Sequence, residues 1–383
     1  MEAEAQYLAK AEAEDESYCF PNTVEDYIVL THAAERKPDG MMAPYLLGNL
    51  SYDRKNYGEA CGYWMKGRNL NATVHRNLAI VLFNKMGEKE KALDELRTAF
   101  SMDKSDARIL LELIQLEEKL GFSVEDRFAL LDGNYETTSK RDDLFIIYIS
   151  FLNRMGEHSK ALSLLENRIF HPWEGGEGKV TKEYITALRS LALGAMTEGD
   201  YDNALTLLDK AMVYPHNLGE GKLEGCKDNE IHYMKGLCLE KTGKTAEAEK
   251  EYLLALEGKA EITGAMYYYD QSADIIAFQA LALRKLGRES EAVSKFRSLI
   301  DYGTAHQDDT VDFDYFAVSL PDLQMWTDDL SMKNRAHCFY LMALGHEGLN
   351  NEPEAEECFT KALSINPDLT DAGRLEKALP LLK

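Results

Sequence analysis

His171, Trp173, Glu174, Glu177 and Lys179 crowd into the ten residues HPWEGGEGKV, from position 171 to 180. Forty-three residues on, YPHNLGEGKL from Tyr214 to Leu223 repeats the proline and the GEGK tetrapeptide, and supplies His216, Glu220 and Lys222. A partial echo, EGK, ends at Lys259, followed by the aromatic and acidic clusters Tyr267–Gln271 and Asp312–Phe316. Aromatic faces beside carboxylates, imidazoles and ammonium groups suit stacking on, and hydrogen bonding to, a polar ligand such as a sugar. The candidate ligand-binding set is therefore His171, Trp173, Glu174, Glu177, Lys179, His216, Glu220, Lys222, Tyr268 and Asp270.

Other chemistries fit less well. A phosphate loop needs GxxxxGK followed by Ser or Thr; here Trp173 and His216 stand where the first glycine belongs, and Val180 and Leu223 follow the lysines. Glycoside hydrolysis needs two carboxylates about 5 to 10 Å apart, a distance that Glu174, Glu177 and Asp270 do not reveal in sequence. Neither G-x-S-x-G nor H-E-x-x-H occurs, so no catalytic residue, metal site or cofactor is expected. The plain alternative for the GEGK loops is structural: glycines allow a tight positive-φ path between helices, and each lysine pairs with a nearby glutamate.

These loops interrupt a helical pattern. Alanines stand just after Gly or Asn turns at Ala60, Ala92, Ala161, Ala204, Ala248, Ala292 and Ala355, and four residues on come Trp64, Leu96, Leu165, Leu208, Tyr252, Phe296 and Phe359. Three further on the residue is small in most cases, so all three share one helix face and admit a close neighbour. Apolar-periodic helices such as APYLLGNLSY and IHYMKGLCLE precede the turns. The signature alanines lie 32 apart, then 69, then 43, 44, 44 and 63, so a degenerate repeat falls near 107–137 and the later repeats carry insertions. Ahead of them, residues 2–16 have helical composition, and Asn22 and Thr23 are N-cap candidates for a helix from about Val24 to Arg36.

A helix–turn–helix unit with this small–large–small signature resembles the tetratricopeptide repeat, most clearly at Ala355, Phe359, Ala362 and Pro367. The expected fold is an all-α solenoid of about eight helix pairs: residues 1–40 an N-terminal cap, 41–170 repeats one to four, and 171–383 repeats five to eight with inserted loops. HPWEGGEGKV, YPHNLGEGKLEG, ALRKLGR and DYFAVSLPDL further resemble the C-terminal half of larger bacterial proteins whose N-terminal half is β-rich. That resemblance implies a protein-interaction scaffold docking a protein partner or such a β-rich domain; the alternative is a carbohydrate-binding or carbohydrate-processing module built from the inserted loops. A lysine–asparagine clamp for a peptide carboxylate is half absent, since the matching positions are Tyr45 and Asn49.

The net charge of −23, from 66 acidic against 43 basic residues, argues against a nucleic-acid partner, whose phosphates need Lys and Arg. Six scattered cysteines without a CxxC pair, an acidic N-terminus unlike a signal peptide and the lack of a membrane-length apolar run give the expectation of a cytoplasmic chain with no membrane partner.

Overall fold

The computed structural model describes residues 2–223, 226–262, 271–272, 274–312 and 325–383. Among these every regular element is helical and none is a strand. The chain divides into two compact units, one formed by Met1–Arg141 with Leu320–Asp328 and the other by Asp142–Ser319 with Asp329–Lys383. The boundary expected at 170/171 falls inside the second unit, where the first inserted loop begins.

Unit 1 contains α1 (Glu2–Glu12), α2 (Val24–Arg36), α3 (Met42–Asp53), α4 (Tyr57–Lys66), α5 (Ala72–Val81), α6 (Lys89–Met102), α7 (Ala107–Lys119), α8 (Val124–Asp132) and the single turn α9 (Tyr135–Thr138). Thr23 caps α2 as expected, in a reciprocal box with Asp26. A π-helical stretch, Leu82–Met86, continues α5. The repeat that looks degenerate in sequence is the α7–α8 pair. In α8 the fully buried Arg127 takes an interior place, its Nε donating to the Ser123 carbonyl at 3.4 Å, so the small–large–small signature is replaced by a satisfied polar group.

Unit 2 contains α10 (Asp142–Arg154), α11 (His158–Glu166), α12 (Lys179–Glu198), α13 (Tyr201–Ala211), α14 (Asn229–Lys241), α15 (Thr245–Leu254), α16 (Asp274–Lys285), α17 (Glu289–His306), α18 (Leu330–Gly348), α19 (Glu352–Ile365) and α20 (Thr370–Leu382). Taken with α3–α8, the described residues form eight helix pairs, the number expected. Helix α20 is tied back onto the first helices of several pairs. Asp368, just ahead of it, pairs with Arg154 of α10, Asp371 accepts from Lys182 of α12 at 2.8 Å, and Arg374 grips Glu230 of α14 with two bonds of 2.5 and 2.7 Å. Tyr233 of α14 donates to the Leu382 carbonyl at 2.9 Å.

One spacing explains how the pairs close. Sixteen residues before the large residue of a second helix stands a small one in the first: Gly48 before Trp64, Ala192 before Leu208, Gly236 before Tyr252, Ala280 before Phe296 and Ala343 before Phe359. Both glycines are buried, and every other member of these pairs is at most 4% exposed. A Cβ at Gly48 would fall 2.3 Å from Trp64 Cδ1, and one at Gly236 2.3 Å from Tyr252 Cε1. Glycine is thus required where the facing residue is Trp or Tyr, whereas alanine serves opposite Leu or Phe. In the second pair the interval is 17, from Ala79 to Leu96, and the extra residue falls in the π turn. The fourth pair departs from the rule with Ile149 before Leu165.

Candidate functional site

The two GEGK loops meet in unit 2. Glu220 of the second loop accepts the Gly178 N–H at the start of α12 with both oxygens, at 3.1 and 3.0 Å. A carboxylate there satisfies an otherwise unpaired helix donor and complements the positive end of the helix dipole. Asn217 ties the same loop to the end of α11, donating to the Leu165 and Arg168 carbonyls at 2.7 and 2.8 Å, while its own carbonyl accepts the Phe170 N–H. The loops are not conformational copies. Positive φ falls at Gly175 and Gly178 in the first but at Gly219 in the second, where a Cβ would meet the Phe170 carbonyl oxygen at 2.6 Å.

Beside these loops lies a cleft of about 640 Å³ lined by Gly178, Glu220 and Gly221, by Asp228–Glu230, by Gly258 and Lys259 of the third echo, and by Gln271 and Asp274. Lys182, Arg189, Tyr214 and Ile275 also face it. Burial works to raise the Glu230 carboxyl, but Arg189 and Arg374 outweigh it and hold the group below the ordinary glutamate range. Asp274 is shifted the other way, by burial and then by the Asp371 carboxylate. Asn229 Oδ1 and Arg189 Nε are buried without a hydrogen-bond partner. The amide nitrogen of Asn229 is occupied, donating to the Ala255 and Glu257 carbonyls at 2.6 and 2.8 Å.

Of the described residues singled out by sequence, only Glu220 lines the cleft. Lys222 is half-buried and works as a brace, donating to the Met212 carbonyl at 3.0 Å, pairing with Asp228 and standing 5.6 Å from the Tyr214 ring centroid. Its partner is thus an aspartate, where a glutamate was expected. Trp173 is half-buried with its ring over Gly176, where a Cβ would fall 2.2 Å from Cε2. His171 is exposed; its N–H donates to Asp142 at 2.9 Å, and its ring Nδ1 lies 3.2 Å from the same carboxylate. Glu174, Glu177, Lys179 and His216 are exposed outside the cleft lining. Tyr268 and Asp270, with Phe313–Phe316 of the last cluster, lie outside the described residues.

Unit 1 holds a second arrangement, built on residues that sequence reasoning passed over. Met325–Asp328 lies across α7 and the π stretch that continues α5. The Asn84 side chain spans the segment's main chain: its Nδ2 donates to the Met325 carbonyl at 2.8 Å and its Oδ1 accepts the Thr327 N–H at 3.2 Å. Between those points Trp326 is buried to 3% exposure, its indole N–H donating to the Glu112 carbonyl at 3.0 Å and its ring meeting Phe83 edge-on at 5.3 Å. A helical carbonyl has a second lone pair for such a donor. Lys119 pairs with Asp328, and Arg76, fixed by two bonds to Glu112 of 2.6 and 2.7 Å, reaches the Met325 sulfur at 3.7 Å. Phe83 and Asn84 both sit in the π turn, where one extra residue re-aims the face. Asn49, the surviving half of the clamp considered above, accepts from Trp64 at 3.1 Å and Asn77 at 3.2 Å.

Helix pairs with a fixed small-to-large spacing define a helical-repeat protein. The family model for the tetratricopeptide repeat matches residues 230–258 and 336–369, and a second one, described as a tetratrico peptide repeat, matches 259–307. The chain carries tetratricopeptide repeats over residues 230–307 and 336–369. Among similar solved structures are a tetratricopeptide repeat protein from Parabacteroides merdae (14% identity over 81% of this chain and 98% of that one, TM-score 0.39) and YrrB, a TPR protein with an unusual peptide-binding site (17%, 48% and 90%, TM-score 0.34). The Naa15/Naa10 structure bound to HypK-THB matches at 13% over 98% of this chain and 60% of that one, with TM-score 0.44. Among the described residues no helix is long and apolar enough to cross a membrane, and no group of three or more His, Cys, Asp or Glu side chains could hold a metal ion.

Proposed function

We propose that this protein is a protein–protein interaction scaffold, and that the surface formed by α7 and the π stretch after α5 is where it takes a non-helical segment of polypeptide. The observation that carries this reading is the Asn84 side chain, which reads main-chain groups on both sides of Trp326. A side-chain amide used in this way recognises the path of the main chain whatever its side chains, and the neighbouring ring pocket adds selectivity. The test uses the full chain with Trp326→Ala, which removes the buried ring and its N–H from the seat, screened against an array of decapeptides with Asn84→Ala added as the control. Peptides held by the first protein and lost by the second support the reading; no Asn84-dependent retention overturns it. A β-rich domain, the partner implied by the sequence resemblance, belongs in the same screen.

The unit 2 cleft favours a second reading, binding of a polar ligand such as an oligosaccharide. Its support is the convergence of three loop echoes on one cavity whose wall leaves Asn229 Oδ1 and Arg189 Nε unpaired. Hydroxyl groups of a sugar offer both donor and acceptor to such a wall. Calorimetric titration of oligosaccharides into the parent and into Asn229→Leu tests it, and equal heats in both would remove the cleft from consideration.

A further inference from the structure

The seat in unit 1 is already filled by the chain's own residues, and the contacts divide by what they can discriminate. The shorter bonds of Asn84, at 2.8 and 3.2 Å, go to main chain and so select conformation. The place of Trp326 is walled by the Phe83 ring and reaches the Glu112 carbonyl, which requires a large aromatic carrying an N–H. Two residues on, Lys119 meets the Asp328 carboxylate, which requires an acid. The Glu112 carbonyl and the Lys119 side chain both belong to α7, so an aromatic and an acid at this spacing are read by one helix. The Thr327 side chain between them adds only a 3.5 Å contact from Oγ1 to Asn84.

We propose that Met325–Asp328 is a built-in ligand: unit 1 recognises a non-helical segment with Trp followed two residues later by Asp, and its own copy holds the seat against partner segments of that chemistry. This rests on the reading of the seat as a docking surface and adds to it the occupant and the competition. A partner must displace a tethered competitor, so its apparent affinity falls by the fraction of molecules whose seat is open. The tether makes the competition intramolecular and keeps the internal copy at high effective concentration.

The probe is a labelled synthetic peptide of residues 323–330, LQMWTDDL, titrated into the full-length protein. It should bind Trp326→Ala at least about tenfold more tightly than the parent, because the parent seat is closed most of the time. Peptides with Trp or the first Asp changed to Ala should lose that binding, and Asn84→Ala added to Trp326→Ala should abolish it. Equal affinity for parent and Trp326→Ala overturns the competition while leaving the docking surface standing; no binding to either overturns both. Unchanged affinity of the altered peptides overturns the assigned motif. Should Trp326→Ala fail to fold, hydrogen exchange in the parent decides: saturating unlabelled peptide should speed exchange at the Thr327 amide, which donates to Asn84, and undisturbed exchange overturns the proposal.

Discussion

Gly236→Ala puts the small-to-large spacing to a quantitative test. The new methyl carbon would stand 2.3 Å from Tyr252 Cε1 and 2.6 Å from Cδ1, against an ordinary carbon–carbon contact of about 3.5–4.0 Å, so the ring must retreat by more than an ångström. It has little room to do so. Tyr252 is 4% exposed, its hydroxyl donates to Glu240 at 2.6 Å, and its ring lies 5.8 Å from that of Tyr233. Overpacking of this kind costs about 1–3 kcal/mol, and the better helix propensity of alanine returns about 0.8–1.0 kcal/mol. The net expectation is a loss of up to about 2 kcal/mol. Gly194→Ala in α12 is the control, because a Cβ there meets nothing within 4 Å; it should gain up to about 1 kcal/mol. The preceding repeat supplies the rescue, since Tyr252→Leu beside Gly236→Ala recreates its Ala192/Leu208 pair. Urea unfolding of the four variants should give a favourable coupling between positions 236 and 252 of about 0.5–3 kcal/mol. If Gly236→Ala stabilises as Gly194→Ala does, or the double variant is additive, the spacing does not measure packing.

Three further outcomes follow from single contacts. Phe296→Ala removes a ring that is 1% exposed and abuts Gly348, and should lower stability by about 3–5 kcal/mol in the same assay. Glu220→Ala removes the acceptor at the start of α12 and should cost about 0.5–2 kcal/mol without touching any other helix end, which thermal unfolding with exchange at the Gly178 amide reports. Glu230→Gln leaves the buried Arg189 and Arg374 without their counter-charge and should cost about 3–5 kcal/mol at neutral pH. Because the folded Glu230 carboxyl is held below its ordinary value of 4.5, its stabilisation is complete above that value and is lost as pH falls through the depressed one. The gap between parent and Glu230→Gln should therefore narrow in acid unfolding below about pH 4.5, and a constant gap would mean that the arginines do not set its charge.

The helix pairs were legible in sequence because their closure is local. Ala60, Trp64 and Gly67 lie within one turn or two of one helix, and the capping of α2 by Thr23 is settled three residues away at Asp26. Helix α8 hid its repeat because Arg127 and a 3.4 Å bond to Ser123 do there what an apolar side chain does elsewhere. The π stretch was equally hidden, since one inserted residue leaves the composition of Leu82–Met86 unremarkable. The GEGK repeat identified loops that meet, but not what their side chains do once they have met. Glu220 and Lys222 are spent on Gly178, Met212 and Asp228, and Trp173 on the backbone of its own loop at Gly176.

The seat in unit 1 depends on pairs such as Asn84 with Met325 and Lys119 with Asp328, separated by 241 and 209 residues, and no local pattern announces them. One signal was present: the interval from Ala292 to Ala355 is 63 residues, far beyond one helix pair, and Trp326 lies within it without belonging to any small–large–small set. A tryptophan outside the repeat signature needs its own burial site, because leaving so large an apolar surface in water forfeits the hydrophobic gain that folding offers. In a repeat protein the ready-made place is a face of first helices that the pair interior has not used. Extra chain between repeats therefore has a physical reason to return to such a face, and whatever holds it there is chemistry that a partner of the same pattern can also use.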